Sequence, residues 1–277
     1  VSHNIANKST EGYSRQRVDL QTSVPTGQGK LRIGNGARAA SVTRTNNPYL
    51  EKQIQKENVE LGAAQTRAEA YGRVEQVYNE QVNKGLNKFM GDFFNAFREL
   101  SNSPESLAAR TLVKESGDFL TRDFKRVNNQ LKEIQNDVDF QVAAHVQEIN
   151  QLSKEIADLN EKIQVVELND VPANDERDRR DLLLKKLGEL VNIRYAEGED
   201  SQVTVTAGDT ALLVSGFSYR ELFVTSTTGR EGKREGNFDV FYKSTDSGSP
   251  VNITSQLRSG KLGGLLEVRD KTINELL

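Results

Sequence analysis

The chain has no cysteine, no tryptophan, one methionine and two histidines among its 277 residues. Without cysteine there is no disulfide framework, no thiolate zinc site and no cysteine nucleophile. Net charge is −3, with both signs interspersed and no long basic stripe, which argues against nucleic acid as a partner. No apolar run reaches membrane-spanning length, and the start carries no signal peptide, so no membrane segment is expected. Val1 is not a natural initiator and Leu277 ends inside a helical pattern. A chain trimmed at both ends is therefore expected.

Helix breakers are scarce where it matters most. Glycine is missing between Gly117 and Gly188, and proline between Pro104 and Pro172. Inside that window Leu120, Phe124, Val127, Leu131, Ile134 and Val138 alternate at spacings of four and three. One extra step of four leads to Val142. The alternation then resumes through His145, Ile149, Leu152, Ile156, Leu159, Ile163 and Val166. This is a heptad seam with one stutter, and the intervening positions are polar, as a solvated helix back requires. The spacing predicts a rod about 70 Å long at ~1.5 Å rise per residue. His145 in the seam could be a metal ligand or proton acceptor. With no second histidine nearby, a polar seam position that fixes register beside the stutter is preferred.

Residues 1–46 read as an irregular polar leader, with strand candidates at Arg15–Thr22 and Gly36–Thr45. Its first stretch, NIANKSTEGYSRQ from Asn4 to Gln16, is rich in cap and turn formers and cannot be a strong helix. Gly34-Asn35-Gly36 lacks the third glycine of a phosphate loop and reads as a plain turn.

Asn47-Pro48 is a helix start. Leu50, Ile54, Leu61, Ala64, Ala68, Tyr71, Tyr78 and Val82 follow a heptad, interrupted by Glu57 and Glu75, which predicts a helix from Pro48 to about Val82 with that row as its seam. Leu86, Phe89, Phe93, Phe97 and Leu100, widened by Met90 and Phe94, form an apolar face suited to packing on the rod. Ser103-Pro104-Glu105 predicts a short helix through Leu107 and Val113, closed by Gly117, before the rod begins at Asp118. Pro172 ends the rod, and Asn174, Asp175 and Glu176 open the next helix. The run from Asp175 to Asp181 holds four acids and three arginines. It reads as a solvated, self-paired helix face rather than a calcium site.

After Val191 the period changes from 3.6 to 2. Strands are expected at Val203–Ala207, Ala211–Ser215, Tyr219–Ser226, Asn237–Lys243 and Val251–Ser255, separated by glycine-rich turns, including one over Gly229–Gly236. The helical pattern returns at Lys261. The fold class is therefore mainly α with an inserted β domain: an elongated bundle of long antiparallel helices plus a small antiparallel β domain. The domains are a leader (1–46), a helical rod (47–191), a β domain (192–259) and the start of a returning helix (260–277).

These residues carry a family resemblance. NIANKSTEGYSRQ resembles the flagellar axial-protein signature NIANANTPGYSRQ, matched at Asn4, Ile5, Ala6, Asn7, Thr10 and continuously from Gly12 to Gln16. Glu11 replaces the usual proline, and His3 a common asparagine. Phe93–Arg110, Asp178–Ile193 with Arg180 and Asp181 at its R-D positions, and Gly263–Asp270 resemble stretches of the bacterial flagellar hook-associated proteins of the FlgK type.

The resemblance implies a structural protein of the hook–filament junction, not an enzyme, with no cofactor and no metal. It implies flagellar hook protein, a second junction protein and self-copies as lattice partners. An export chaperone would bind only through a C-terminal region that this sequence lacks. The location implied is extracellular, after export through the flagellar type III pathway without a cleaved signal peptide. Asn4, Ile5, Asn7, Gly12, Tyr13 and Arg15 are the candidate subunit-interface residues, and the chain itself is expected to be monomeric. The alternatives are a secreted coiled-coil effector or adhesin fragment, which would lack the leader, and an enzyme. Residues 192–259 contain no histidine or cysteine, the chain has no HExxH, and Glu197, Glu199 and Asp200 lie in turns without an evident partner.

Overall fold

The computed structural model describes residues 2–28, 31–78, 85–168, 171–198, 200–228, 234–245 and 248–277. The expected end of the first long helix at Val82, Glu199 and most of the turn expected over Gly229–Gly236 lie outside them. The residues group into two compact units. The first holds Val1–Ala63, Ala144–Thr225 and Asp239–Gly263, and the second holds Ala64–Ala143, Ser226–Phe238 and Gly264–Leu277.

The leader begins with a five-residue helix, α1 (Ser2–Ala6), a short exception to the loop expected there. Strands β1 (Gln16–Thr22) and β4 (Ala37–Arg44) pair antiparallel from Gln16↔Arg44 to Thr22↔Ala37, with a bulge between Asp19 and Leu20. Between them β2 (Thr26–Gln28) and β3 (Leu31–Ile33) form a second small ribbon. The expected turn at Gly34–Gly36 follows β3, with Gly36 at φ 76°.

Helix α2 (Pro48–Val77) starts where the sequence places it. The Asn47 side chain accepts from the Tyr49 and Leu50 amides at 3.2 and 3.3 Å, and Pro48 fills the first helical position, where no N–H is needed. The face that α2 buries is not the expected one. Leu50, Ile54, Leu61, Tyr71 and Tyr78 are exposed, whereas Ala63, Thr66, Ala70, Val74 and Val77 are buried. Both rows obey three-four spacing; the buried one is made of smaller side chains, which allow close helix approach.

Helix α3 (Leu86–Asn102) carries the phenylalanine face. Helix α4 runs unbroken over 61 residues, Leu107–Glu167. The short helix ending at Gly117 is therefore corrected. Gly117 sits inside α4, because one glycine costs a helix only about 1 kcal/mol and long-range packing outweighs that. The cap is Ser106, whose hydroxyl accepts from the Ala109 amide at 3.3 Å. The predicted α4 seam is buried at Val127, Leu131, Val138, Val142, Ile149, Leu152, Ile156, Leu159 and Ile163, while Phe124 is half exposed.

In the second unit Val127 and Leu131 of α4 form one core cluster with Ala70, Val74, Val77, Val268 and Ile273. Asp139 joins the buried side of α4, fully enclosed, and accepts from Arg269 at 2.8 Å. Arg269 also donates to the Phe238 carbonyl and to both oxygens of Asp270. It belongs to the returning helix, which runs as α6 (Gly260–Glu267), a π-helical stretch (Val268–Ile273) and α7 (Asn274–Leu276).

Helix α5 (Asn174–Leu190) leads into the β region. A four-stranded antiparallel sheet is ordered β5 (Ile193–Glu197), β6 (Val203–Ala207), β7 (Ala211–Ser215), β8 (Ser218–Tyr219). A three-stranded sheet holds β9 (Leu222–Thr228), β10 (Arg234–Tyr242) and β11 (Val251–Asn252), with β10 central. Strand β5 was not expected; its Ile-Arg-Tyr-Ala-Glu run alternates too weakly. Val251–Ser255 is only partly strand, since a 3-10 turn takes over at Thr254. Within the first unit two α4 asparagines hold strand backbone. Asn150 exchanges two hydrogen bonds with Leu222, each 2.8 Å. Buried Asn160 donates to the Val203 and Gly216 carbonyls and accepts from the Val203 amide.

Candidate functional site

The charged start of α5 is where the leader, the end of α4 and the β5–β6 edge come together, all within the first unit. Helix geometry divides its side chains between two directions. Asp175, Asp178 and Asp181 meet the leader; Arg177 and Arg180 meet α4 and the sheet.

The leader folds on itself before it docks. The Asn4 carboxamide oxygen accepts from the Tyr13 hydroxyl at 2.6 Å and from the Gln16 amide at 3.0 Å, and its nitrogen donates to the Gln16 carbonyl. The Asn7 nitrogen donates to the His3 carbonyl, and its oxygen accepts from Thr10. His3 stands edge-on to Tyr13 at 5.6 Å. Gly12 has φ 79°, and a Cβ there would lie 3.0 Å from the Leu182 Cβ. Only glycine suits both the left-handed backbone and the close approach to α5.

Six polar contacts among the described residues then fix the leader to α5. The Ser14 amide donates to Asp178 at 2.8 Å. Gln16 donates to Asp175, which also lies 3.3 Å from the His3 ring. Asn174 donates to the Val42 carbonyl. Arg44 donates to Asp178 at 2.8 Å and to Asp181 at 2.9 Å. Burial pushes the Asp181 carboxyl up from its ordinary range, with Arg44 opposing that shift.

On the other side Arg177 makes a two-pronged contact with Glu167 at 2.6 and 2.9 Å and also reaches Glu197 and the Ser201 hydroxyl. Hydrogen bonding to Arg177 lowers the Glu167 carboxyl to about 2, against the opposing effect of burial. Arg180 is almost fully enclosed and donates to Asn160, the Ser201 carbonyl and Glu197. Burial lowers its guanidinium pKa, and Glu197 counteracts that. Ser201 takes φ 61°, the one positive value at a non-glycine residue among the described residues. Its two oxygens are held by the two arginines.

The solvated, self-paired face expected for Asp175–Asp181 is therefore corrected: the partners are distant in sequence and several are buried. Of the six leader candidates, Asn4, Gly12 and Tyr13 turn inward as scaffold, and Asn7 makes local bonds. Ile5, 68% exposed, and Arg15 face solvent. His145 pairs with Glu148 at 3.4 Å. Among the described residues no group of three or more histidine, cysteine, aspartate or glutamate side chains could hold a metal. The clasp positions chain segments; the sequence signal for it was the R-D pair at Arg180 and Asp181.

The fold is one of long helices with small antiparallel sheets, its leader held to α5 by a charged clasp. The structure of the flagellar hook junction protein FlgK from Burkholderia pseudomallei superposes with a TM-score of 0.66, at 22% identity, over 79% of this chain and 39% of that one. The family described as the flagellar hook-associated protein FlgK helical domain matches residues 71–277, and the chain belongs to that family. Flagellar hook-associated protein 1 of Bacillus subtilis is 32% identical over 203 residues, 71% of this chain and 40% of its own length. The Salmonella typhimurium protein of the same name is 26% identical over 280 residues, 99% of this chain and 49% of its own length. The chain thus spans less than half the length of either relative.

Proposed function

We propose that this protein is a structural subunit of the bacterial flagellum that joins hook to filament, bearing load rather than catalysing a reaction. The observation that carries the reading is the leader clasp in a chain of this family. Asn4, Gly12 and Tyr13 shape the leader, α5 holds it, and Ile5 and Arg15 are left outward for a neighbouring subunit. Long helices suit the task, since bending one disturbs many seam contacts together. Residues 1–46 serve as the contact leader, 47–191 as the rod, 192–259 as the outer β domain and 260–277 as the return to the rod.

The partners are flagellar hook protein, a second junction protein and other copies of the chain. An export chaperone would act through sequence beyond residue 277. The protein works outside the cell after export through the flagellar type III pathway, and the 277-residue chain is a monomer in dilute solution. The test is alanine substitution of Ile5, Asn7 and Arg15 in the full-length protein, read as filament assembly and swimming. Fewer filaments per hook are expected. Unchanged assembly and motility would remove the leader from the contact.

A further inference from the structure

Two apolar surfaces, one in each unit, are open among the described residues. The first is the β1–β4 ribbon. Val18 lies opposite Val42, and Leu20 opposite Ala39 after the bulge, so the two-residue period puts all four on one face. Val18 is 50% and Leu20 68% exposed. A lone two-stranded ribbon is marginal in water unless a face is covered, and here only its base is clasped to α5. The ribbon is also basic: residues 15–45 contain six arginines and lysines against one acid, Asp19, in a chain of net charge −3. Arg44 is taken by the α5 carboxylates and Arg17 is paired with Asp19 at 3.1 Å, which leaves Arg15 and Arg38 exposed among the described residues.

The second surface is a groove of about 630 Å³ between α3 and α4. Its floor is apolar, with Phe89 stacked on Phe119 at 6.3 Å, beside buried Ala96 and half-exposed Leu112. Its charged lining residues are all acids: Asp92, Glu99 and Glu115. Asp92 is paired with Lys88 and the Arg122 guanidinium lies 4.7 Å over the Phe119 ring, which leaves Glu99 and Glu115 as the lining acids that can meet an incoming cation.

We propose that the apolar face of the ribbon of one copy seats in the α3–α4 groove of a second copy. Val18 and Leu20 meet Phe89, Leu112 and Phe119, while Arg38, and Arg17 on exchanging its 3.1 Å pairing with Asp19 for an acid of the groove, bend past the ribbon's edges towards Glu99 and Glu115. Arginine stems can lie along apolar surface with the charged head at the rim. Opposite charge selects the groove over other surfaces and steers encounter. The two patches differ, so the contact is head-to-tail and propagates, as a lattice subunit requires. This deepens the junction-subunit reading, naming the partner as a second copy, and rests on it only for its biological setting.

The chain has no cysteine, so single thiols can be placed without background. Leu20→Cys protein is mixed with Leu112→Cys protein at high concentration and treated with a short bismaleimide. A Leu20→Cys and Lys154→Cys mixture, with Lys154 exposed on α4 outside the groove, is the control. Heterodimer is expected in the first mixture and not in the control. Arg17→Glu with Arg38→Glu on the ribbon chain should lower the yield about tenfold, and Glu99→Arg with Glu115→Arg on the groove chain should restore it. Equal yield in both mixtures, no response to charge reversal, linkage of ribbon to ribbon, or a ribbon that links only to added hook protein would each overturn the proposal. The filament-assembly test of the leader can succeed or fail independently of these outcomes.

Discussion

Arg44 and Asp178 are 134 positions apart in the chain and 2.8 Å apart in space. Both side chains are largely buried, and Asp181 shares the same guanidinium. Removing Arg44 takes away the guanidinium that both carboxylates share and leaves only the more distant Arg180 near Asp181. Arg44→Ala should weaken leader docking by about 3 kcal/mol. Hydrogen exchange at Ser14 and along β1 and β4 should rise by roughly a hundredfold, with α2–α4 amides unchanged. Arg44→Lys should recover part of the loss: one guanidinium nitrogen makes both contacts and an ammonium also has donors for two carboxylates, but the lysine side chain is shorter.

Gly117 and Gly260 should respond to alanine in opposite ways. A Cβ at Gly117 would meet the Phe93 ring at an ordinary 3.4 Å, so Gly117→Ala should stabilise by about 0.5–1 kcal/mol. At Gly260, φ is 75° and a Cβ would come within 2.7 Å of the Leu190–Val191 backbone. Gly260→Ala should cost about 3 kcal/mol. Thermal melts of the two variants check both signs.

The Asp139–Arg269 pair should be costly to break from either side. Both side chains are enclosed, and Arg269 also satisfies the Phe238 carbonyl. Arg269→Ala should destabilise by about 3–5 kcal/mol because a buried carboxylate loses its cation. Asp139→Asn should cost less, since the amide oxygen still accepts. Urea unfolding of both variants reads the difference.

Acid should loosen the clasp through Glu167. Its carboxyl is lowered from 4.5 to about 2 in the folded protein, so its stabilising contribution is full above pH 4.5 and lost as pH falls towards 2. Asp181 acts in the opposite sense: its raised pKa makes its charged form a cost that protonation relieves. Glu167→Gln should flatten the stability profile between pH 4.5 and 2, and Asp181→Asn should steepen it from pH 3.8 upward, between the ordinary and the raised value of that carboxyl. Denaturant midpoints across those ranges decide this.

Much of this architecture was legible in the residues. The α4 seam from Val127 to Ile163 is buried almost position for position, stutter included, because a heptad row leaves one helix face to bury. Val203, Val205 and Ala207 are buried in β6, as their alternation implies. The buried face of α2 was not legible, since two rows share the same spacing and its larger apolar residues lie on the exposed one. Gly117 misled because a local breaker is weak against long-range packing. The clasp was hidden for a similar reason. Charges at α5 suggest partners three or four residues away, whereas Asp178, Arg177 and Arg180 pair with Arg44, Glu167, Asn160 and Glu197, whose proximity only the tertiary fold creates.

The most direct measurement is complementation in a bacterium whose own junction protein has been deleted. The full-length protein, wild type or Arg44→Glu, is expressed, and hooks are counted for attached filaments by electron microscopy. Wild type should restore filaments to hooks, and Arg44→Glu should leave hooks bare. Filaments attached equally well with and without the protein would contradict the account.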